Sequence, residues 1–205
     1  MILAAILAAA QPAPVSLDQI AVYDRAAWSR DVTECDRLAA HPDDPERVID
    51  GVPQGDVDLE AARLTCEAAV AEDPDNPRLN YQLARVNGYA GRHEESQAYR
   101  DAALRAGYPQ SLFVVGYIRL TGWDGRGQDP CYGGELIRRS AEAGRFAGLV
   151  GFPHYALTGA FEACPPDQPV IDRAQMLGFL DRADADASGF YQEALVIQLR
   201  ARLAE

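Results

Sequence analysis

The amino-acid sequence predicts an all-α fold, a right-handed α-solenoid of stacked antiparallel helix pairs, from three observations. Apolar residues recur at helical spacing in one segment after another, and no stretch shows the alternation typical of strands. Helix-ending glycines also recur, since Gly107 and Gly144 are 37 residues apart and so are Gly122 and Gly159. One such unit cannot bury its apolar face alone, so the units are expected to stack.

Length and charge restrict the class of protein. The 205 residues are enough for one domain or one repeat array with a sizeable core. All basic side chains other than histidine are arginines, and the net charge is −12. That charge argues against nucleic acid and anionic lipid as partners.

Residues 1–10 are predicted to be a signal peptide that extends to about residue 13. Their apolar run is about half the length of a bilayer-spanning helix. Ala8 and Ala10 are placed for cleavage before Gln11. The run has no arginine, so its only positive charge is the amino terminus, and a disordered N-terminus is the alternative. The expectation is a periplasmic or secreted protein with no stable membrane insertion after signal removal.

The first predicted region, residues 16–75, contains helices and a proline-rich ordered loop. Ser16 and Gln19 have the spacing of a capping box, so a short helix is expected there. A longer helix is predicted just before Pro74, because one stripe of small and apolar residues precedes it. Between these two helices, prolines prevent a long helix; they are Pro42, Pro45 and Pro53.

Residues 76–185 read as six further helices separated by short breaks, and residues 186–205 as a C-terminal capping helix. The glycines at 107, 122, 144 and 159 are expected to end helices, because glycine readily adopts the left-handed conformation found there.

Residues 111–144, SLFVVGYIRLTGWDGRGQDPCYGGELIRRSAEAG, resemble a Sel1-like repeat, a relative of the tetratricopeptide repeat. The matching positions are Val115-Gly116, Gly122, Asp129, Ala141 and Gly144, and the preceding residues look like a tetratricopeptide-type unit. Two positions depart from the pattern: Gly133 replaces an alanine, and Pro153 replaces a small residue, which predicts a kinked or incomplete last unit. The residues near Cys35 also resemble exported alphaproteobacterial proteins of this type.

The glycine-dense stretch 122–134 is predicted to connect two helices. A chain without lysine cannot form a P-loop, Pro130 replaces the third glycine of a dinucleotide fingerprint, and Arg126 replaces a ligand of a calcium loop. Gly122 is suited to end one helix, and Asp129 to cap the next. The alternative is a recognition tip formed by Trp123, Asp124 and Arg126.

Four cysteines in an exported chain suggest two disulfides, and three pairings are possible. Stacked repeats would bring the loops of Cys131 and Cys164 together, which favours that pair and leaves Cys35 with Cys66. A less favoured alternative is a nucleophilic Cys131 or Cys164 with His154 as its base. We expect no metal site and no cofactor.

The predicted function is that of a non-catalytic scaffold that binds a protein or peptide on the concave face of the solenoid. Aromatic side chains with arginines beside them are the residues that most often anchor such partners. Two alternatives remain: a cell-wall-related enzyme or penicillin-binding protein, associated with cysteine-rich Sel1-type proteins, and a purely structural periplasmic domain. The candidate binding residues on the concave face are Tyr81, Arg85, Tyr89, Tyr117, Arg119 and Trp123.

Overall fold

A computed structural model describes residues 14–123 and 127–204, and all regular secondary structure in these residues is helical. Three short 3-10 turns accompany the α-helices. None of the described helices is both long and apolar enough to cross a membrane. The helices are α1 (Glu34–Ala39), α2 (Leu59–Glu72), α3 (Pro77–Tyr89), α4 (His93–Arg105), α5 (Pro109–Thr121), α6 (Pro130–Glu142), α7 (Phe146–Leu157), α8 (Arg173–Asp186) and α9 (Phe190–Ala204).

The helix ends follow the expected capping chemistry. Proline occupies the first turn of α3, α5 and α6, where its missing N–H costs no intrahelical hydrogen bond. The four predicted helix-ending glycines all have a left-handed backbone, with φ of 69° at Gly107, 68° at Gly122, 87° at Gly144 and 76° at Gly159. The glycine recurrence therefore marks real helix ends.

Two details concern features that the sequence analysis singled out. Helix α6 begins at Pro130, directly after the predicted cap, because the Asp129 carboxylate accepts a hydrogen bond from the Tyr132 N–H. Helix α7 contains Pro153 and continues to Leu157. The predicted signal peptide, residues 1–10 extended to 13, lies outside the described residues.

Successive helices from α2 to α9 pack against one another, and the most extensive contact is between α5 and α6. A methyl group on Gly116 would lie 2.8 Å from the Gly133 carbonyl oxygen, and one on Gly133 would lie 2.6 Å from the Gly116 oxygen. The two backbones touch at this crossing. Gly133, the departure from the repeat pattern, is therefore required by helix packing.

The largest apolar cluster holds α6 to α9 together. It contains 14 buried residues, from Leu120 at the end of α5 to Leu203 in α9, with Phe152 and Leu180 among those that are fully buried. A separate cluster joins α1, α2 and α3 around the Cys35–Cys66 bond.

The irregular N-terminal residues lie along the helices. Ala21 N–H donates to the Arg105 carbonyl over 2.8 Å, and the Arg139 guanidinium donates to the Leu17 carbonyl over 3.0 Å. Residues 40–57, between α1 and α2, form the predicted ordered loop, which we call the covering segment. It is closed by a 2.8 Å hydrogen bond from Val52 N–H to the Ala40 carbonyl, as in a compact Ω-type loop.

Candidate functional site

The Arg85 side chain of α3 holds backbone carbonyls at the end of α1 and in the covering segment. Its Nη1 donates to the carbonyls of Ala39 and Ala40, each over 2.9 Å, and its Nη2 donates to the Val52 carbonyl over 2.7 Å. These contacts involve backbone carbonyls, so they do not depend on the side chains of the residues that Arg85 holds. The face predicted to bind a partner is partly occupied by the protein's own chain.

Two further contacts anchor the covering segment. The Tyr108 hydroxyl, in the α4–α5 connection, donates to the Asp44 carboxylate over 2.7 Å. The Arg145 guanidinium, just before α7, lies 3.9 Å from the Asp43 carboxylate. The segment therefore contacts α3, the α4–α5 connection and the residue that precedes α7.

Two carboxylates of the covering segment, those of Asp44 and Glu46, are buried, and they differ in their partners. Glu46 pairs with Arg25 at 2.5 Å and with Arg30 at 3.1 Å. Asp44 accepts hydrogen bonds from Tyr108 and from the Glu46 N–H but has no arginine in ion-pair contact among the described residues. Burial therefore raises the pKa of Asp44 to about 6, although both hydrogen bonds lower it.

A cavity of about 160 Å³ opens beside the covering segment, between α3, α4 and α5. We call it the α3–α5 cavity. None of the described residues that line it is acidic, although the sequence contains 31 acids. Its apolar and small lining residues are Ala84, Gly88, Ser96, Val114 and Ile118; its polar and aromatic ones are His41, Tyr81, Arg85, Tyr89, His93, Arg100 and Trp123.

Four of the six candidate binding residues line this cavity, but the two on the inner part of α3 are not free surface anchors. Tyr81 is 4% exposed and Arg85 is 6% exposed. The covering segment and the next helix pair enclose both side chains. Tyr89 is half-buried, and Trp123 is 75% exposed beside the opening.

Tyr117 and Arg119 lie away from the cavity. Tyr117 is 41% exposed and stacks on Phe113 with a ring separation of 6.3 Å. Arg119 is half-buried, and its Nη2 lies 3.7 Å from the Asp129 carboxylate. Arg119 therefore stabilises the connection between α5 and α6. Its position near Tyr117 in the sequence does not indicate this role.

That connection has the predicted helix-ending glycine and helix-capping aspartate. Gly122 ends α5, and its N–H donates to the Ile118 carbonyl over 2.8 Å. Asp129 caps α6. The alternative recognition tip includes Asp124 and Arg126, which lie outside the described residues, and of its three members only Trp123 has a described position.

All four cysteines form the two favoured disulfides. Cys35 and Cys66 have Cα atoms 4.5 Å apart, and those of Cys131 and Cys164 are 5.4 Å apart. Neither Cys131 nor Cys164 therefore carries a thiol that could act as the nucleophile considered for them. Across the described residues, no group of three or more metal-ligating side chains converges.

A larger cavity, of about 560 Å³, lies between residues 20–23 and the end of α6. Its two guanidiniums are already paired: Arg138 contacts Glu135 and Glu142 at 2.8 Å and 2.6 Å, and Arg139 contacts Glu135 at 2.8 Å. The charges of these two arginines are therefore balanced by neighbouring glutamates of α6.

Sequence reasoning missed several residues at the site, above all His41 and Arg145. His41 belongs to the covering segment and Arg145 contacts its Asp43. The position of this segment depends on contacts more than 40 residues apart in sequence, such as that of Arg85 with Ala40. The predicted proline-rich loop was the only signal for this segment. Comparisons with protein-family models, with curated proteins and with solved structures find no match to this chain.

Proposed function

We propose that this protein is a non-catalytic, exported scaffold of the Sel1-like and tetratricopeptide-like type, whose helix pairs form a right-handed solenoid. The recurrent left-handed glycines and the packing of each helix on the next support the repeat architecture. Two disulfides support an oxidising compartment, periplasmic or extracellular.

The binding surface in this proposal is the concave face to which α3 and α5 contribute, and its ligand is a protein or peptide. The observation that carries the proposal is the way Arg85 holds three backbone carbonyls, that of Ala39 at the end of α1 and those of Ala40 and Val52 in the covering segment. A face that binds backbone carbonyls of its own chain has the chemistry to bind those of another. The open part of that face is the region around Tyr89 and Trp123.

The test is capture of a partner by the mature chain. The amount of that partner captured is then compared between two variants. The double substitution of Tyr89→Ser and Trp123→Ser removes two aromatic groups from the open part of the face. Tyr191→Ser and Phe190→Ser form the matched control, because these two aromatics of α9 are 86% and 75% exposed and lie far along the chain from α3.

A specific partner retained by the control variant and lost by the Tyr89 and Trp123 variant supports the proposal. Truncation of such anchors commonly weakens binding by about 2 kcal/mol or more. Equal retention by both variants excludes the concave face, and failure to recover any reproducible partner favours a purely structural domain.

A further inference from the structure

We propose that the α3–α5 cavity binds a carboxylate carried on a short apolar body. This binding role goes beyond the scaffold function, because a small organic acid could occupy the cavity whether or not a protein partner binds the face. The inference rests on the donors that line the cavity, on an unneutralised guanidinium in its wall, and on its size.

The hydroxyl groups of the cavity are available as donors. The Tyr81 oxygen accepts a hydrogen bond from Gln110 Nε2 over 3.1 Å, and the Tyr89 oxygen accepts one from Arg85 Nε over 3.1 Å. Each phenol therefore has its proton left to donate. A carboxylate oxygen is an acceptor-only group that fits such a lining.

Arg85 supplies positive charge that the protein does not neutralise locally. Its hydrogen bonds go to three carbonyls and one phenol, and in the described part of the chain it forms no ion pair with a carboxylate. Carbonyl oxygens satisfy the N–H groups but leave the unit charge in place. An anion in the adjacent cavity would balance this buried charge.

The behaviour of His41 reflects the same positive field. The pKa of His41 is lowered to about 4, first by burial and then by the charges of Arg85 and Arg145, while Asp43 opposes them. The ring is therefore neutral at pH 7. Its Nδ1 accepts a hydrogen bond from the Asp43 N–H over 3.1 Å, so the proton of the neutral ring is on Nε2 and this atom is another donor.

The size of the cavity restricts the rest of the ligand. Its volume of about 160 Å³ is below the roughly 300–1,000 Å³ of sites that hold drug-sized molecules. Ala84, Val114 and Ile118 give it an apolar wall, and the exposed Trp123 ring stands at the opening. A phenyl or branched alkyl group with one carboxylate matches this combination.

A carboxylate of this kind could belong to a free organic acid or to an acidic side chain of a peptide. The experiment distinguishes these two sources. Titration calorimetry at pH 7 uses phenylacetate, its neutral counterpart phenylacetamide and the cation phenethylamine. The peptide arm uses acetyl-Ala-Phe-Glu-Ala-amide and the same peptide with glutamine in place of glutamate.

We expect phenylacetate to bind with a stoichiometry of one, phenylacetamide to bind at least about ten-fold more weakly, and phenethylamine not to bind. Tyr89→Phe should weaken phenylacetate about ten-fold because it removes one donor, whereas Tyr191→Phe on α9 should change nothing. Preference for the glutamate peptide, with no binding of the free acid, also supports the proposal and assigns the carboxylate to a peptide.

A spectroscopic readout separates binding in the cavity from binding elsewhere. A carboxylate beside Arg85 offsets the positive field, so the pKa of His41 should rise from about 4 on addition of phenylacetate, measured by NMR titration of the imidazole. Equal affinity for acid and amide, absence of binding by every carboxylate probe, or an unchanged His41 pKa at saturation would overturn the proposal. None of these outcomes contradicts capture of a protein partner by the concave face, so each proposal can be disproved without the other.

Discussion

The two halves of this protein are held together by different interactions. The N-terminal half, residues 14–108, buries five charged side chains: Asp36, Asp44, Glu46, Arg78 and Arg85. The C-terminal half, residues 109–204, buries two, Glu135 and Arg145, and none of the buried polar residues in the described chain follows Arg145. It contains the 14-residue apolar cluster instead.

The difference follows from what each half packs against. In the C-terminal half, helix meets helix, and because a helix satisfies its own backbone hydrogen bonds, apolar side chains are sufficient at the interface. In the N-terminal half, irregular segments cover α3, and their carbonyls need donors that only side chains supply. Arg85 and Arg78 provide those donors, which explains why 11 of the 13 residues of α3 are buried.

The largest effect is expected from Arg78→Met in the N-terminal half. Asp36 is fully buried and accepts hydrogen bonds from Arg78, from Gln82 Nε2 over 2.8 Å and from Thr33. Loss of the guanidinium leaves a buried carboxylate without its counter-ion, so the free energy of unfolding should fall by about 3–5 kcal/mol, measured by urea denaturation.

Asp36→Asn tests whether the unpaired carboxylate of Asp36 causes the loss of stability in Arg78→Met. Combined with Arg78→Met, it removes the orphaned charge, so the double variant should be more stable than Arg78→Met alone. A double variant that is less stable than the single one would mean that packing, and not the ion pair, carries the effect.

The disulfides offer a comparison in which both halves should respond equally. The separations are 31 residues for Cys35–Cys66 and 33 for Cys131–Cys164, so in the chain-entropy model each bond contributes about 3–4 kcal/mol. We expect each paired alanine replacement to lower the free energy of unfolding by that amount in thermal or urea melts. A much larger loss for Cys35–Cys66 would show that the packing of α1 and the covering segment also depends on it.

Asp44 should make the N-terminal half sensitive to pH in a defined direction. Its pKa in the folded protein is about 6, above the value of about 3.9 in an unfolded chain, so the folded state binds more protons between these values. Stability from this group is therefore fully present below about pH 4 and is lost as the pH rises through 6.

Asp44→Asn removes this titration. Relative to the wild-type protein, the variant should gain about 2–3 kcal/mol between pH 4 and pH 7, measured as the difference between two series of urea melts. Other titrating groups cancel in that difference. A difference that stays constant with pH would mean that Asp44 is not charged and buried at pH 7.

The sequence was most informative where structure is local. Gly107 and Gly144 end helices, Asp129 caps one, and the prolines at 42, 45 and 53 exclude a long helix, because each effect acts within a few residues of the chain. Burial of Tyr81 and Arg85 could not be predicted, because it depends on where the distant covering segment lies. The cavity depends on the same segment, which supplies His41, and no local pattern specifies that position.

The smallest predicted effect tests whether local stability is the same in both halves. Asp58 caps α2 by accepting from the Ala61 N–H over 3.1 Å, and Asp172 caps α8 by accepting from the Ala174 and Gln175 N–H groups over 2.7 Å and 3.3 Å. Each replacement by alanine should lower the free energy of unfolding by about 1 kcal/mol. Similar losses in the two variants would assign the contrast between the halves to tertiary burial, whereas a loss several times larger for Asp58→Ala would show that the N-terminal half is also weaker in its individual helices.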